Sequence, residues 1–284
     1  VSTAEEKYEI LKNKIAQMGR VAVAFSSGVD STFLLNTALE VLGKDNVTAF
    51  TCVASSFPER ERREADEFCK EKGIRQICFD PEILKDPLFV SNPADRCYYC
   101  KRIIFDKIKA LAEEHGIDHV LEGSNADDIS DYRPGFRAIK ELGIESPLMD
   151  SGLTKDEIRR FSKEQGLLSW DKPSYACLAS RFVYGETIDS RRLEMIDKAE
   201  QLLIDLGFKQ VRVRVHGMGK NTVARIETMP EDIMRIVSDD VREKIYQGFK
   251  EYGFAYVSLD MKGYRMGSMN ETLSDRKDPS GETV

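Results

Sequence analysis

Five apolar residues, Val21-Ala22-Val23-Ala24-Phe25, pass without a break into Ser26-Ser27-Gly28-Val29-Asp30-Ser31, and a helix-patterned stretch follows to about Leu42. An unbroken apolar run of this kind reads as a strand buried on both faces, and such strands belong to parallel sheets covered by helices. The rhythm continues along the chain. Residues 47–53 read as a second strand, 59–72 as a charged amphipathic helix, 74–79 as a third strand, 102–115 as a helix and 119–123 as a fourth strand. Tyr8, Leu11, Ile15 and Met18 recur at helical spacing ahead of the first strand. The expected fold class is therefore α/β with a doubly wound parallel sheet. Right-handed crossovers then put ligands at the carboxyl ends of the strands.

Two stretches read as loops: the Pro- and Asp-rich 80–95, and the polar 124–147 with Asp127, Asp128, Asp131, Arg133 and Pro134. Loops this long in compact domains are usually functional or mobile. Residues 154–165 predict a helix, with Thr154 as cap and Glu157 three residues on. After about Tyr184 the pattern changes. A long helix over 189–206, a hairpin of 211–215 and 222–228 around Gly217-Met218-Gly219-Lys220-Asn221, helices over 231–237 and 241–252, and a last strand over 254–259 predict a smaller α+β domain. The expected division is 1–184, 185–272 for substrate binding and oligomerisation, and a flexible tail at 273–284.

The 284 residues are 41% apolar and 32% charged, enough for a sizeable core and against general disorder. No apolar run reaches membrane-spanning length, and the charged start of the chain predicts no secretory signal, so the expected setting is cytoplasmic with no membrane partner. The net charge of −7 is the wrong sign for a general nucleic-acid binder. Six cysteines in such a setting do not predict a disulfide scaffold. Cys52, Cys69 and Cys78 sit singly in apolar or amphipathic segments and read as core fillers.

Residues 26–31 lie where a strand meets a helix. Gly28 permits a tight turn, small hydroxyl side chains leave room for an anion, and the free amides of the helix start point toward it. An ordinary turn capped by Ser26 or Asp30 would look the same. Neither a Gly-Lys-Ser/Thr ending nor Gly-x-Gly-x-x-Gly is present, which excludes the standard NTPase and dinucleotide loops.

Ser-Ser-Gly-Val-Asp-Ser after a first strand resembles the pyrophosphate loop of the PP-loop ATP pyrophosphatases, usually Ser-Gly-Gly-x-Asp-Ser; Ser27 replaces the first glycine. Further motifs narrow the match. They are Leu121-Glu122-Gly123-Ser124-Asn125-Ala126-Asp127-Asp128, Asp131-Tyr132-Arg133-Pro134-Gly135, Ala179-Ser180-Arg181-Phe182, Val211-Arg212-Val213-Arg214, Ala224-Arg225-Ile226-Glu227 and Gly267-Ser268-Met269-Asn270. In this order they resemble the LarE family of ATP-dependent sulfur transferases, from about residue 20 to 272. The family is similar in its first domain to NAD synthetase and to the ATP pyrophosphatase part of GMP synthetase.

The resemblance implies ATP cleavage between the α- and β-phosphates, adenylation of the carboxylates of pyridinium-3,5-dicarboxylate mononucleotide, and their conversion to thiocarboxylates for the nickel-pincer cofactor of lactate racemase. It implies that Ser26, Ser27, Gly28, Val29, Asp30, Ser31, Gly123, Asp128 and Arg133 bind nucleotide, with Asp30 nearest to Mg²⁺. Arg212, Arg214 and His216 share a strand face by the period of two, which reads as a solvated face or as an anion fork. The resemblance favours substrate binding by Arg212 and Arg214, with Glu200 and Glu227 in an adjoining acidic cluster and Arg181 near the adenylated carboxylate. It also implies a homo-oligomer, a hexamer in the family.

Cys97-Tyr98-Tyr99-Cys100 alone fits half a zinc site, a redox pair or chance. In the resemblance Cys177 falls on the sulfur-donating cysteine, which some members sacrifice, leaving dehydroalanine. A cysteine-rich subset with all three resembles the tRNA thiolases that hold a [4Fe-4S] cluster on three thiolates, leaving one iron open to an added sulfide. Cys97, Cys100 and Cys177 are accordingly the expected ligands, fed by sulfide or another sulfur donor. The rival readings are a tRNA thiolase, a sacrificial donor using Cys177 alone, an amide-forming ligase of the NAD-synthetase type, and a nucleotide-sensing module.

Overall fold

In a computed structural model, four parallel strands form the first sheet: β1 (Val21–Ala24), β2 (Val47–Cys52), β3 (Arg75–Phe79) and β4 (His119–Leu121). Their order is β3-β2-β1-β4, with Val21 opposite both Val47 and His119. The structure describes residues 2–130, 134–173, 176–265 and 267–270. The chain builds outward from β1 to β3, then returns to lay β4 on the other side of β1. That reversal opens a crevice at the carboxyl ends of β1 and β4, where open α/β sheets bind ligands.

The apolar run of β1 is apolar because both its faces are covered. Val21 and Val23 pack among Leu11 and Ile15 of α1 (Ala4–Ala16) and Phe33, Leu34 and Leu35 of α2 (Val29–Leu42). Cys69 of α3 (Glu59–Lys72) joins this cluster. Ala22 packs on the opposite side against Ile104, Phe105 and Ile108 of α4 (Arg96–Glu114) and Ile139 of α5 (Pro134–Glu141). Helices on both faces make the sheet doubly wound, as expected. Thr154 and Glu157 form the predicted reciprocal capping box at the start of α6 (Lys155–Glu164).

Two compact units divide the chain: Val1–Asp86 with Asp95–Tyr175, and Pro87–Ala94 with Ala176–Val284. The second contains α7 (Ser190–Asp205), the antiparallel pair β5 (Val211–His216) and β6 (Val223–Thr228), α8 (Asp239–Tyr252), and β7 (Tyr256–Leu259), which runs parallel to β6. Its short early segment is tied in by backbone bonds: the Ile188 amide donates to the Val90 carbonyl and the Gly185 amide to that of Asn92, each at 2.9 Å. Asn92 Nδ2 donates to the Val183 carbonyl at 2.7 Å.

Several expectations need correction. The loop at 124–147 contains α5, because Ala138 and Ile139 bury one face of a short helix that opens on Pro134. The loop at 80–95 contains one-turn helices, Ile83–Lys85 and Pro87–Val90, which bury Ile83 and Phe89. Helix α4 starts at Arg96 rather than 102 and takes in Cys97 and Cys100. The helix expected over 231–237 is a 3-10 turn, Pro230–Asp232, followed by Ile233–Ile236. Cys69 is buried and Cys52 half-buried, but Cys78, on edge strand β3, is exposed and is no core filler. Among the described residues no helix is long and apolar enough to cross a membrane.

Candidate functional site

The loop after β1 enters α2 with Gly28 as its N-cap, and the first intrahelical bond of that end runs from the Thr32 amide to the Gly28 carbonyl at 2.9 Å. The amides of residues 29–31 are therefore left without intrahelical acceptors and present partial positive charge to an anion. Ser31 Oγ accepts from the Ser26 amide at 3.3 Å and lies 3.1 Å from Ser26 Oγ, closing the loop on itself. The tight turn is not at Gly28, which has φ −72°. It is at Ser27, whose φ of 54° lies in the left-handed region. That conformation costs a residue with a Cβ about 1–2 kcal/mol. A glycine at this point would be free of that cost, so serine at 27 brings backbone strain as well as a side chain.

The loop after β4 closes the other side of the crevice. A Cβ on Gly123 would meet the Ser31 amide nitrogen at 3.1 Å, so any other residue here would push the two loops apart by a few tenths of an ångström. Asn125 Nδ2 donates to Asp30 Oδ1 at 3.4 Å, and the Asn125 amide donates to Asp128 Oδ2 at 3.0 Å. Lys155 Nζ pairs with Asp30 Oδ2 at 2.5 Å. Burial pushes the Asp30 carboxyl above the usual carboxylate range, against the pull of Lys155, and the charge of Asp128 adds to the rise.

Ser26, Gly28, Val29, Asp30, Glu61, Lys155, Lys172 and Pro173 line a pocket of about 180 Å³. Lys155 and Lys172 were not singled out in the sequence. One sits just inside a helix cap and the other in Trp170-Asp171-Lys172-Pro173, and neither belongs to a motif of the loop. Two lysines, helix-start amides and two acidic residues, Asp30 and Glu61, suit a polyphosphate with its cation. Mg²⁺ is typically held by one or two carboxylates plus phosphate oxygens, so Asp30 fits as its protein ligand. Arg133 lies outside the described residues.

The second unit buries its charges. Arg212 and Arg214 are only 3% and 5% exposed, which corrects the expectation of an open strand face. Pairing of Arg212 with Glu227 and of Arg214 with Arg225 across β5 and β6 puts all four on one face, and that face is covered. Arg214 Nη2 donates to Glu227 Oε2 at 2.7 Å and to Ser268 Oγ at 3.1 Å. Arg225 bridges Glu227 at 3.3 Å and Asp260 at 3.1 Å. Arg212 lies over the Tyr264 ring at 5.2 Å, and burial together with Arg181 pushes its pKa down to about 10. Cations crowded until one is pushed down mark a place that an anion would relieve.

Arg181 is fully buried rather than open toward a substrate. Its Nε and Nη2 donate to the two oxygens of Glu200 at 2.8 and 2.9 Å. Its Nη1 donates to the Ala176 carbonyl at 2.9 Å, the Cys177 carbonyl at 3.4 Å and Ser180 Oγ at 2.7 Å. It therefore fixes the backbone that carries Cys177. Burial raises the Glu200 carboxyl, but Arg181, with Arg212 behind it, outweighs this and holds it below the usual range.

Cys97 and Cys100 stand three residues apart in the first turns of α4, on one helical face. A Cβ on Gly135 would meet the Cys97 carbonyl at 3.3 Å and Lys101 Cγ at 3.1 Å, so α5 packs hard on this turn. Cys177 belongs to the other unit, directly before the 3-10 turn Leu178–Arg181. Among the described residues no three Cys, His, Asp or Glu side chains form a group that holds a metal ion.

No protein-family model matches the chain. The pyridinium-3,5-bisthiocarboxylic acid mononucleotide synthase of Lactiplantibacillus plantarum is 36% identical over 275 residues, which cover 96% of this chain and 97% of that protein. The chain belongs to this family, the LarE family. An uncharacterised protein of Synechocystis sp. is 39% identical over 270 residues, 95% of this chain and 99% of its own. One subunit of the glutamine-hydrolysing GMP synthase of Archaeoglobus fulgidus is 24% identical over 159 residues, 52% of each chain. The LarE match spans both units. For this LarE-family chain, Asp30→Ala is expected to slow pyrophosphate release by about tenfold to a hundredfold, because it removes the carboxylate that pairs with Lys155 in the phosphate pocket and would hold the cation. Release at the native rate would remove Asp30 from the site.

Proposed function

We propose that the protein is an ATP-dependent sulfurtransferase that converts the carboxylates of pyridinium-3,5-dicarboxylate mononucleotide to thiocarboxylates. The observation that carries this reading is full-length similarity to the synthase of that product, joined to a pocket built for polyphosphate. A carboxylate oxygen of the substrate attacks the α-phosphorus of ATP. The bond from that phosphorus to the bridging oxygen breaks, and pyrophosphate leaves with the electron pair. The amides of residues 29–31 with Lys155 and Lys172 stabilise the charge that develops on it. Asp30 would hold Mg²⁺ on the phosphates, with Asp128 close by. A hydrosulfide sulfur then attacks the acyl carbon, the bond to AMP breaks, and a proton, AMP and the thiocarboxylate result. The cycle repeats at the second carboxylate.

Arg212 and Arg214 are the proposed ligands of the mononucleotide's anionic groups, with Glu200 and Glu227 holding the arginines in place and Arg181 positioning the turn of Cys177. Cys97, Cys100 and Cys177 are the proposed holders of a [4Fe-4S] cluster, a reading supported by the placement of Cys97 and Cys100 on one helical face. Such a cluster, when bound, supplies an iron position at which sulfide is held. The proposed setting is cytoplasmic, where thiols stay reduced. The proposed assembly is a homo-oligomer, a hexamer on the family resemblance. The test is to incubate the protein with ATP, Mg²⁺, sulfide and the dicarboxylate mononucleotide under strict anaerobiosis. AMP, pyrophosphate and a product heavier by one sulfur-for-oxygen exchange per carboxylate are expected. Thiolation of bulk tRNA instead would replace this reading by the tRNA thiolase.

A further inference from the structure

Lys172 is bound to the one residue of the phosphate loop whose backbone is strained. Its Nζ donates to the Ser27 carbonyl at 3.0 Å and to Ser27 Oγ at 3.2 Å, and it also pairs with Glu64 Oε2. Ser27 Oγ in turn donates to the Glu61 carbonyl at 3.0 Å. The lysine side chain is 13% exposed and that of Glu64 41%, so the ammonium is a largely desolvated anchor and the carboxylate is its solvent-side stay. Left alone, a serine at φ 54° would turn back toward the extended or right-handed regions, and the Ser27 carbonyl and the amides after it would turn with it. A carbonyl swung into a phosphate site repels the ligand that the amides attract.

We propose that Lys172 is a positioning residue. By holding the Ser27 carbonyl and hydroxyl against α3, it keeps Ser27 left-handed and the loop amides aimed into the pocket, so that this chain tolerates a serine where a glycine needs no such hold. The inference rests on the reading of residues 26–31 as the ATP phosphate loop. It is distinct from the role of Lys172 as a charge facing pyrophosphate, because only positioning ties its importance to the side chain at position 27.

The experiment measures ATP affinity of the full chain with Mg²⁺ by calorimetry, alongside KM for ATP and kcat for pyrophosphate release. Lys172→Met is introduced once in the native chain and once together with Ser27→Gly. The expected loss of affinity is about tenfold in the native chain, the size of one left-handed penalty, and less than about threefold when Ser27→Gly is present. The part of the loss that Ser27→Gly relieves appears in KM rather than in kcat. An equal loss in both backgrounds overturns the proposal and makes Lys172 a direct ligand; no loss in the native chain overturns it as well. Should Lys172→Met fail to fold, Glu64→Gln, which frees the stay while keeping the lysine, is expected to weaken binding a few-fold and to be relieved in the same way by Ser27→Gly. No measurable binding of ATP by the native chain would instead sink the reading of the loop itself.

Discussion

Protein prepared without oxygen is expected to be brown, to contain about four iron and four sulfide per chain, and to turn over repeatedly when sulfide is supplied. Alanine at Cys97, Cys100 or Cys177 is expected to remove the colour and bring thiocarboxylate formation to background, since two thiolates rarely retain a cubane. Adenylation should survive these changes, because the phosphate pocket is lined by none of the three. Release of pyrophosphate without thiocarboxylate is thus the signature of a broken sulfur step. The competing route needs Cys177 alone. It gives one transfer per chain, a protein lighter by hydrogen sulfide, and indifference to Cys97→Ala and Cys100→Ala. Full anaerobic activity of the Cys97→Ala, Cys100→Ala double variant would eliminate the cluster.

The second large effect is on stability. Arg181→Met should destabilise the second unit by about 3–5 kcal/mol, the cost of stranding a buried carboxylate. Urea unfolding of native and variant protein measures it, and a loss below about 1 kcal/mol would mean that Glu200 is served by Arg212 and the Val213 amide alone. The pH dependence has a definite sign. In the native chain the Glu200 carboxyl is held low, so its contribution is present above the ordinary carboxylate range and is lost as pH falls through its folded value. In the variant, burial without Arg181 raises the same carboxyl, so the penalty is fullest at high pH and eases as the group takes a proton. The gap between the two proteins should narrow toward acid pH. The Cys177 turn also loses its two carbonyl anchors, so sulfur transfer should fall further than the lost stability explains.

What the sequence made legible follows from how local each signal is. β1 and its loop announce themselves because a strand buried on both sides has no polar positions. Thr154 and Glu157 announce α6 because a capping box is written in adjacent residues. Helix α5 was hidden because its apolar face is only a few residues within a polar stretch, and its partner is a distant helix. Lys155 and Lys172 were hidden for the same reason: what makes them part of the site is a fold that returns them to Asp30 and Ser27, more than 100 positions earlier in sequence. The arginine face of β5 was read correctly in phase and wrongly in environment. Period two says which side chains share a face, whereas Glu200 on α7 and Ser268 beyond β7 decide that the face is closed.

The segment Pro87–Ala94 belongs to the second unit although the chain surrounding it, on both sides, belongs to the first. The polypeptide therefore changes unit three times, and no single cut separates two intact halves. On a ribosome, Val90 and Asn92 emerge well before the residues they bond, those at 183–188, so this piece must wait while β4 and helices α4 to α6 are made. Closing so long a loop adds little to the entropic cost at equilibrium but delays the contact. Independent inheritance of the two units as exchangeable modules is correspondingly closed to this architecture: a gene fusion that grafted only residues beyond 175 onto another protein would leave Gly185 and Ile188 without the backbone acceptors that they use here.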